Sequence, residues 1–248
     1  MARQSHLLQI AELAILMTFG AAASAGESTR GAEPNAVVTT GSPKTGIRTD
    51  RLSPKQLRVW KSIEKIVFAE KASGVPLHPR LQSLWRRAES SGHTVFIEFP
   101  APITIDAAGQ CLIEDLDPRG KNHVFVIRLY LPAIERAAAV ESSRRPNGLI
   151  PFKKLATKGR YAEIFGHELA HAVLILDDAN YENLTLEQAG LRKQLLSSSN
   201  QTARKRLSDP ENRQRLSRLI VLDSLLEDPV NAIEMDVWRE LMQSGRGL

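Results

Sequence analysis

The stretch KGRYAEIFGHELAHAVLIL, residues 158–176, is the part of the sequence that decides the fold. Its larger apolar residues recur at the spacing of one helix face: Phe165, Leu169, Ala172, Val173 and Leu176. Such spacing is typical of an amphipathic helix, in which residues three and four positions apart share a face. The pattern therefore predicts a helix over residues 158–176 that buries this face in the domain.

His167 and His171 lie on the other side of the predicted helix. Because the α-helix has 3.6 residues per turn, histidines four positions apart point nearly the same way, and both imidazoles can reach one ion. Glu168 lies at the flank of that ion, where a carboxylate can take a proton from a metal-bound water. The pattern predicts metal ligands at His167 and His171 and a catalytic base at Glu168. A donor for the oxyanion is also expected, for which Tyr181 is a candidate, with ordinary packing as the alternative.

The His-Glu-x-x-His pattern at residues 167–171 resembles the motif of the zincin metallopeptidases. The resemblance covers residues 155–178 and extends to residues 225–243. It implies Zn²⁺ as the cofactor, and a zinc-dependent endopeptidase in which Glu168 activates a zinc-bound water. It also implies a zincin-like fold, with a small antiparallel sheet packed on the active-site helix and a helical C-terminal lobe. In that fold an edge strand pairs with an extended polypeptide substrate, and residues 122–129 are the candidate edge.

The sequence pattern indicates the third zinc ligand less directly than it indicates His167 and His171. Catalytic zinc normally has three protein ligands, and no histidine follows His171. The resemblance to the gluzincin group of zincins predicts Glu234, which lies beside the apolar stripe of a helix expected at 229–243. Glu227, just ahead of that helix, is the next candidate. Asp177 is a further alternative, although no glycine three residues before it would let the chain turn and bring it to the ion.

The rest of the pattern orders the chain as helices, a sheet and helices again, which is typical of an α+β fold. Strands are predicted where short β-branched or aromatic runs are bounded by Pro, Gly and Asp, at 93–99, 102–105, 110–113 and 122–129. Two further helices are predicted to start at Ser53-Pro54 and at Pro132. Four more are predicted at residues 79–88, 185–198, 209–227 and 229–243, and a loop at residues 144–151.

Residues 1–25 have the pattern of an export signal. The apolar run at 13–23 is too short to span a bilayer, and small residues follow it at a plausible cleavage site. Residues 26–52 contain almost no large apolar side chains and are predicted to form a flexible leader, so that residues 53–248 form the metallopeptidase domain. We therefore expect a periplasmic or secreted protein without a stable membrane anchor. An amphipathic N-terminal helix is the alternative, because Glu12 lies in the apolar region.

The composition is that of an ordinary globular protein. The 248 residues are 42% hydrophobic and 25% charged, which excludes disordered, collagen-like and coiled-coil proteins. A single cysteine, Cys111, excludes an intrachain disulfide and a thiolate metal cluster. The net charge is +5, but the basic clusters lack interleaved aromatic residues, so we expect solvated helix faces and no nucleic-acid partner. Two other functions stay open: an exported non-catalytic binding module with a basic helical surface, and a zinc amidase acting on cell-wall peptides.

Overall fold

The computed structural model describes residues 45–100, 108–115, 123–143, 155–197 and 209–244. These residues form four strands and six helices: β1 Gly46–Arg48, α1 Pro54–Val67, α2 Pro79–Ser90, β2 Thr94–Glu98, β3 Gly109–Asp115, β4 Val124–Leu129, α3 Leu131–Ser143, α4 Thr157–Asp177, α5 Ala179–Ser197 and α6 Pro210–Gln243. This content confirms the α+β class. The predicted export signal, the strand at 102–105 and the loop at 144–151 lie outside the described residues.

The four strands form one mixed sheet in the order β1-β2-β4-β3. β1 pairs in parallel with β2, and β2 in parallel with β4, whereas β3 and β4 are antiparallel. The prediction of an antiparallel sheet is therefore wrong for the two parallel pairs. Strand direction depends on the connection that returns the chain to the sheet, and a short apolar strand has a similar residue pattern in either direction.

β4 lies inside the sheet, so the prediction that residues 122–129 form its edge is wrong. Its sequence fits the interior position, because Phe125, Val126 and Ile127 are consecutive and all buried, as in a strand covered on both faces. Among the described strands, β1 and β3 are the edges. β3 is the edge strand that packs against α4, and its residues are half-buried or exposed.

β1 lies within the segment that the composition predicts to be a flexible leader, so that prediction is wrong from residue 45 onward. The strand is only three residues long, and its hydrogen bonds go to β2 and α2. Gly46, with a φ of 94°, donates its N–H to the His93 carbonyl at 2.7 Å, and Ile47 donates to Glu89 Oε1 at 3.1 Å. A positive φ costs glycine little, which explains the residue at this position.

α1 and α2 begin where the sequence predicts and place an aromatic cluster against α4. Ser53 and Gln56 exchange side-chain and backbone hydrogen bonds in a capping box at the start of α1. On the buried face of α1, Trp60 stacks on Trp85 of α2 with ring centroids 5.3 Å apart, and meets Phe165 of α4 edge-on at 5.1 Å. These contacts hold the apolar face of α4 against two other helices.

α6 is a single helix of 34 residues, whereas the sequence predicts two helices separated at Asp228-Pro229. The predicted break is wrong, because Pro229 lies inside the helix. Proline removes one helical N–H bond and usually kinks a helix. The buried stripe nevertheless continues on both sides of it, at Leu222, Leu226, Val230, Ile233 and Val237. Burial along this continuous face offsets the lost hydrogen bond, since each buried side chain contributes about 1.5–3 kcal/mol.

The chain divides into two compact units. The larger contains Lys44–Pro102, Asp106–Glu182 and Glu227–Leu248, and includes every described strand and α4. The smaller includes Asn183–Leu226, where two arginines of the predicted basic clusters form surface ion pairs, Arg218 with Glu187 and Arg192 with Asp223. None of the helices in the described part of the chain combines the length and the hydropathy needed to cross a membrane.

Candidate metal centre

The two histidines of α4 converge on one point. The predicted amphipathic helix forms with Phe165, Leu169, Ala172 and Val173 buried and Leu176 half-buried. The His167 and His171 side chains are 17% and 16% exposed. Their Nε2 atoms lie 3.3 Å apart. As the spacing predicts, the structure brings both rings to the same side of the helix.

Glu227 of α6 reaches both of these nitrogen atoms. Its Oε2 lies 3.4 Å from His167 Nε2, and its Oε1 lies 3.5 Å from His171 Nε2. Neighbouring ligands of a tetrahedral zinc ion with bonds of about 2.0–2.1 Å are about 3.3–3.4 Å apart. The closest donor atoms of the three groups are therefore about as far apart as neighbouring ligands of such an ion, although the two histidines meet different oxygens of Glu227. Glu227 is 47% exposed, so solvent reaches this side of the three groups.

Glu234 lies at the opposite edge of the His167 ring. Its Oε2 is 3.1 Å from His167 Nδ1, not at the Nε2 atoms that meet Glu227. On the other imidazole, the Tyr181 hydroxyl is 2.7 Å from His171 Nδ1. Each ring thus has an oxygen partner at Nδ1, which leaves Nε2 directed at the shared point. Nδ1 partners of this kind orient metal-binding histidines in many proteins.

The remaining sequence candidates lie elsewhere. Asp177 Oδ1 accepts a hydrogen bond of 2.7 Å from Arg87 Nε, so the structure does not bring it to the histidine pair. Tyr181 has its hydroxyl at the back of the His171 ring, which is a different place from an oxyanion donor on the open side of the centre.

The protonation of the two imidazoles is coupled through their charges. Burial opposes a positive charge on His167, but the hydrogen bonds to Glu227 and Glu234 outweigh it and raise its pKa to about 10. Burial and the neighbouring His167 charge lower the pKa of His171 to about 4, against the opposing carboxylates. At neutral pH the imidazole pair therefore carries one positive charge, on His167. A divalent cation fits the same donors, because two neutral imidazoles and one carboxylate are a common zinc ligand set.

Glu168 lies beside this centre and is only 6% exposed. Burial raises its pKa to about 7, although the charge of His167 and a hydrogen bond from the Cys111 backbone N–H oppose the shift. A carboxyl group that titrates near neutral pH suits a general base that must also return its proton.

Strand β3 approaches Glu168 at Gly109. A Cβ atom at this position would lie 2.5 Å from Glu168 Oε1 and 2.7 Å from Ile164 Cγ2. Only glycine fits between the strand and α4 without a shift of one of them. The burial of Glu168 therefore depends on the close packing of an edge strand, which the linear sequence does not reveal.

Comparisons of the chain with protein-family models, with curated proteins and with solved structures find no match. The functional interpretation therefore depends on the chemistry of the centre itself. It combines two imidazoles, a bridging carboxylate and a buried carboxyl group next to them.

Proposed function

We propose that the protein is a zinc-dependent endopeptidase of zincin type, exported by its N-terminal segment, that hydrolyses peptide bonds. The observation that carries the proposal is the convergence of His167, His171 and Glu227, whose closest donor atoms are 3.3–3.5 Å apart in each pair, beside the buried Glu168. Hydrolytic metal sites need three protein ligands, an open corner and a nearby base, and each of these has a candidate here.

His167 and His171 would hold the ion through Nε2 and Glu227 through its carboxylate. Glu234, the third ligand predicted from the sequence, has a different part in this proposal. Its carboxylate accepts the Nδ1–H of His167, which keeps the Nε2 lone pair directed at the ion. Zinc is favoured among divalent ions, since imidazole and carboxylate donors in a site with few ligands suit it well.

When bound, zinc supplies Lewis-acid activation of water and polarisation of the scissile carbonyl. Glu168 takes a proton from the attacking water as the new C–O bond forms. The C–N bond then breaks, and Glu168 returns this proton to the leaving amine. A pKa of about 7 supports both transfers, because the carboxylate form accepts the proton and the acid form readily gives it back.

An extended polypeptide is the substrate class that fits the surroundings. β3 has a strand partner on only one side among the described strands, and its Gly109 lies against Glu168. A peptide that adds to such an edge gains main-chain hydrogen bonds without a demand for particular side chains. Its backbone would then run close to the proposed base, which supports peptide hydrolysis over chemistry on a small ligand.

The decisive comparison is between the wild type and Glu168→Gln, each purified with zinc and assayed on denatured casein. We expect one zinc per chain in both proteins and a rate about 10²- to 10⁴-fold lower in the variant, since loss of a general base has an effect of this size. Glu70→Gln is the matched control: it makes the same chemical change at an exposed carboxylate and should keep the wild-type rate.

Other outcomes would replace the proposal. If the wild type cleaves no unfolded protein and Glu168→Gln behaves identically, the endopeptidase is rejected. Digestion of purified cell wall in the same experiment, with casein left intact, would indicate a zinc amidase. A protein that binds no zinc and cleaves neither substrate would indicate a non-catalytic binding module.

A further inference from the structure

We propose that Tyr181 is a positioning residue that fixes the orientation and the tautomer of His171 for metal binding. The inference rests on the proposed function, because it concerns the same centre. It assigns to Tyr181 a task at the back of the ring, distinct from the oxyanion donor considered from the sequence. The observation is a hydroxyl that is 2.7 Å from His171 Nδ1 on a side chain that is only 4% exposed.

A bound ion determines which group donates in this contact. A neutral imidazole carries one proton, so a ring that binds metal through Nε2 must keep its proton on Nδ1. His171 Nδ1–H then donates to the Tyr181 hydroxyl oxygen. Because the ring is mostly buried, this donor would lose a hydrogen bond if the oxygen were absent. The hydroxyl therefore stabilises the tautomer that leaves Nε2 free to bind.

The turn between α4 and α5 holds Tyr181 in place. Asp178 Oδ1 accepts the backbone N–H groups of Asn180 at 2.8 Å and of Tyr181 at 3.3 Å, as a capping residue does at a helix start. The next residue, Glu182, has its Oε1 3.5 Å from Nε2 of the buried His123, which immediately precedes β4. The first turn of α5 is thus anchored on both sides of Tyr181, so its hydroxyl has a fixed position relative to α4.

The two imidazoles are supported differently. His167 has a carboxylate at Nδ1, from Glu234, whereas His171 has a neutral hydroxyl. A charged acceptor makes the stronger hydrogen bond. Among the described residues, Glu227 is the only one that places a charged oxygen within hydrogen-bond range of His171 Nε2. Loss of the Tyr181 hydroxyl should consequently weaken metal binding while the packing of the aromatic ring is kept.

The test compares Tyr181→Phe with the wild type in a zinc titration against a chromophoric chelator. We expect the zinc Kd to rise about 10- to 100-fold, as is typical when a partner of a metal-binding histidine is removed. Tyr161→Phe is the matched control. Tyr161 lies on α4 like the two histidines, but its hydroxyl donates to Glu135 Oε1 of α3 at 2.6 Å. The control should bind zinc with the wild-type Kd.

Two further measurements separate positioning from folding. Each metal-free variant loses one hydrogen bond of a buried tyrosine, so the thermal midpoints of Tyr181→Phe and Tyr161→Phe should fall by similar small amounts. Only Tyr181→Phe should change the visible spectrum of the Co²⁺ form. In the zinc-loaded wild type, side-chain ¹⁵N spectra should show the His171 proton on Nδ1. An unchanged Kd and Co²⁺ spectrum in Tyr181→Phe, or a metal-bound Nδ1, overturns the inference but leaves the zinc site standing. A wild type that binds no zinc overturns the proposed function as well.

Discussion

Glu227 and Glu234 lie seven positions apart on α6, and their carboxylates reach opposite edges of the His167 ring. Seven residues make nearly two helical turns, so the two side chains leave the helix on one face and are about 10 Å apart along its axis. One imidazole fits between them. In the proposed centre the two glutamates therefore have different roles, and two substitutions can test this difference.

We expect Glu227→Gln to weaken zinc binding far more than Glu234→Gln does. The first change replaces a charged ligand with a neutral amide, and should raise the zinc Kd at least about 100-fold. The second leaves an amide oxygen that still accepts the Nδ1–H of His167, and should raise the Kd by about 10-fold or less. Chelator competition measures both constants. A larger rise of the zinc Kd in Glu234→Gln than in Glu227→Gln would instead support Glu234 as the third ligand, as the sequence predicts.

The placement of the residues that share α4 could be predicted from sequence, whereas Glu227, Glu234 and Tyr181 could be named as candidates but not placed around the histidine rings. The convergence of His167 and His171 follows from a spacing of four on a helix, and needs no tertiary information. Glu227 ranks second in the sequence because Asp228-Pro229 indicates the start of a new helix. Once α6 is known to continue through Pro229, the spacing of seven places both glutamates on one face.

At the scale of the element, the close approach of β3 to α4 is the contact that buries the proposed base. We expect Gly109→Ala to lower kcat at least about 10-fold, because its Cβ would lie 2.5 Å from Glu168 Oε1 and must displace either the carboxylate or the strand. The zinc Kd should stay close to the wild-type value, since the proposed metal ligands lie on other elements. The free energy of unfolding should fall by about 1–3 kcal/mol, as is usual for overpacking.

Gly190→Ala is the control for this change. A Cβ at this position in α5 would meet no atom within 4 Å, so the same added methyl group meets no steric conflict. Alanine favours helix over glycine by about 1 kcal/mol, and the control should unfold at an equal or higher denaturant concentration. Equal kcat values for Gly109→Ala and Gly190→Ala would show that β3 does not position Glu168.

The elements themselves were predictable to different degrees. Helices with a local start signal, such as the capping box at Ser53, agree with the structure because the signal and the element lie in the same few residues. The direction of β2 relative to β4 was not predictable, since the pairing joins residues about 30 positions apart. β1 was missed because a three-residue strand in a polar segment gains its stability from the neighbouring strand, with no periodic pattern of its own.

At the scale of the whole molecule, the buried histidines outside the candidate metal centre link folding to pH. Burial lowers the pKa of His78, which is 1% exposed and whose Nδ1 has no hydrogen-bond partner among the described residues. Burial likewise lowers the pKa of His93, with the nearby His123 acting in the same direction. Below the unfolded pKa of about 6.5, the unfolded chain binds a proton at each position more readily than the native protein does.

The contribution of His78 to the free energy of unfolding therefore falls as the pH drops through 6.5. It levels off only below the lowered pKa of His78 in the folded state. We expect His78→Asn, which cannot titrate, to lose less stability than the wild type between pH 7.5 and 5, by up to about 1.4 kcal/mol per pH unit in the titration range. Urea unfolding of both proteins in the presence of a chelator measures this difference. The comparison cancels the contributions of His167, His171 and Glu168, which titrate equally in both proteins. Parallel stability curves would mean that His78 is protonated as readily in the native protein as in the unfolded chain.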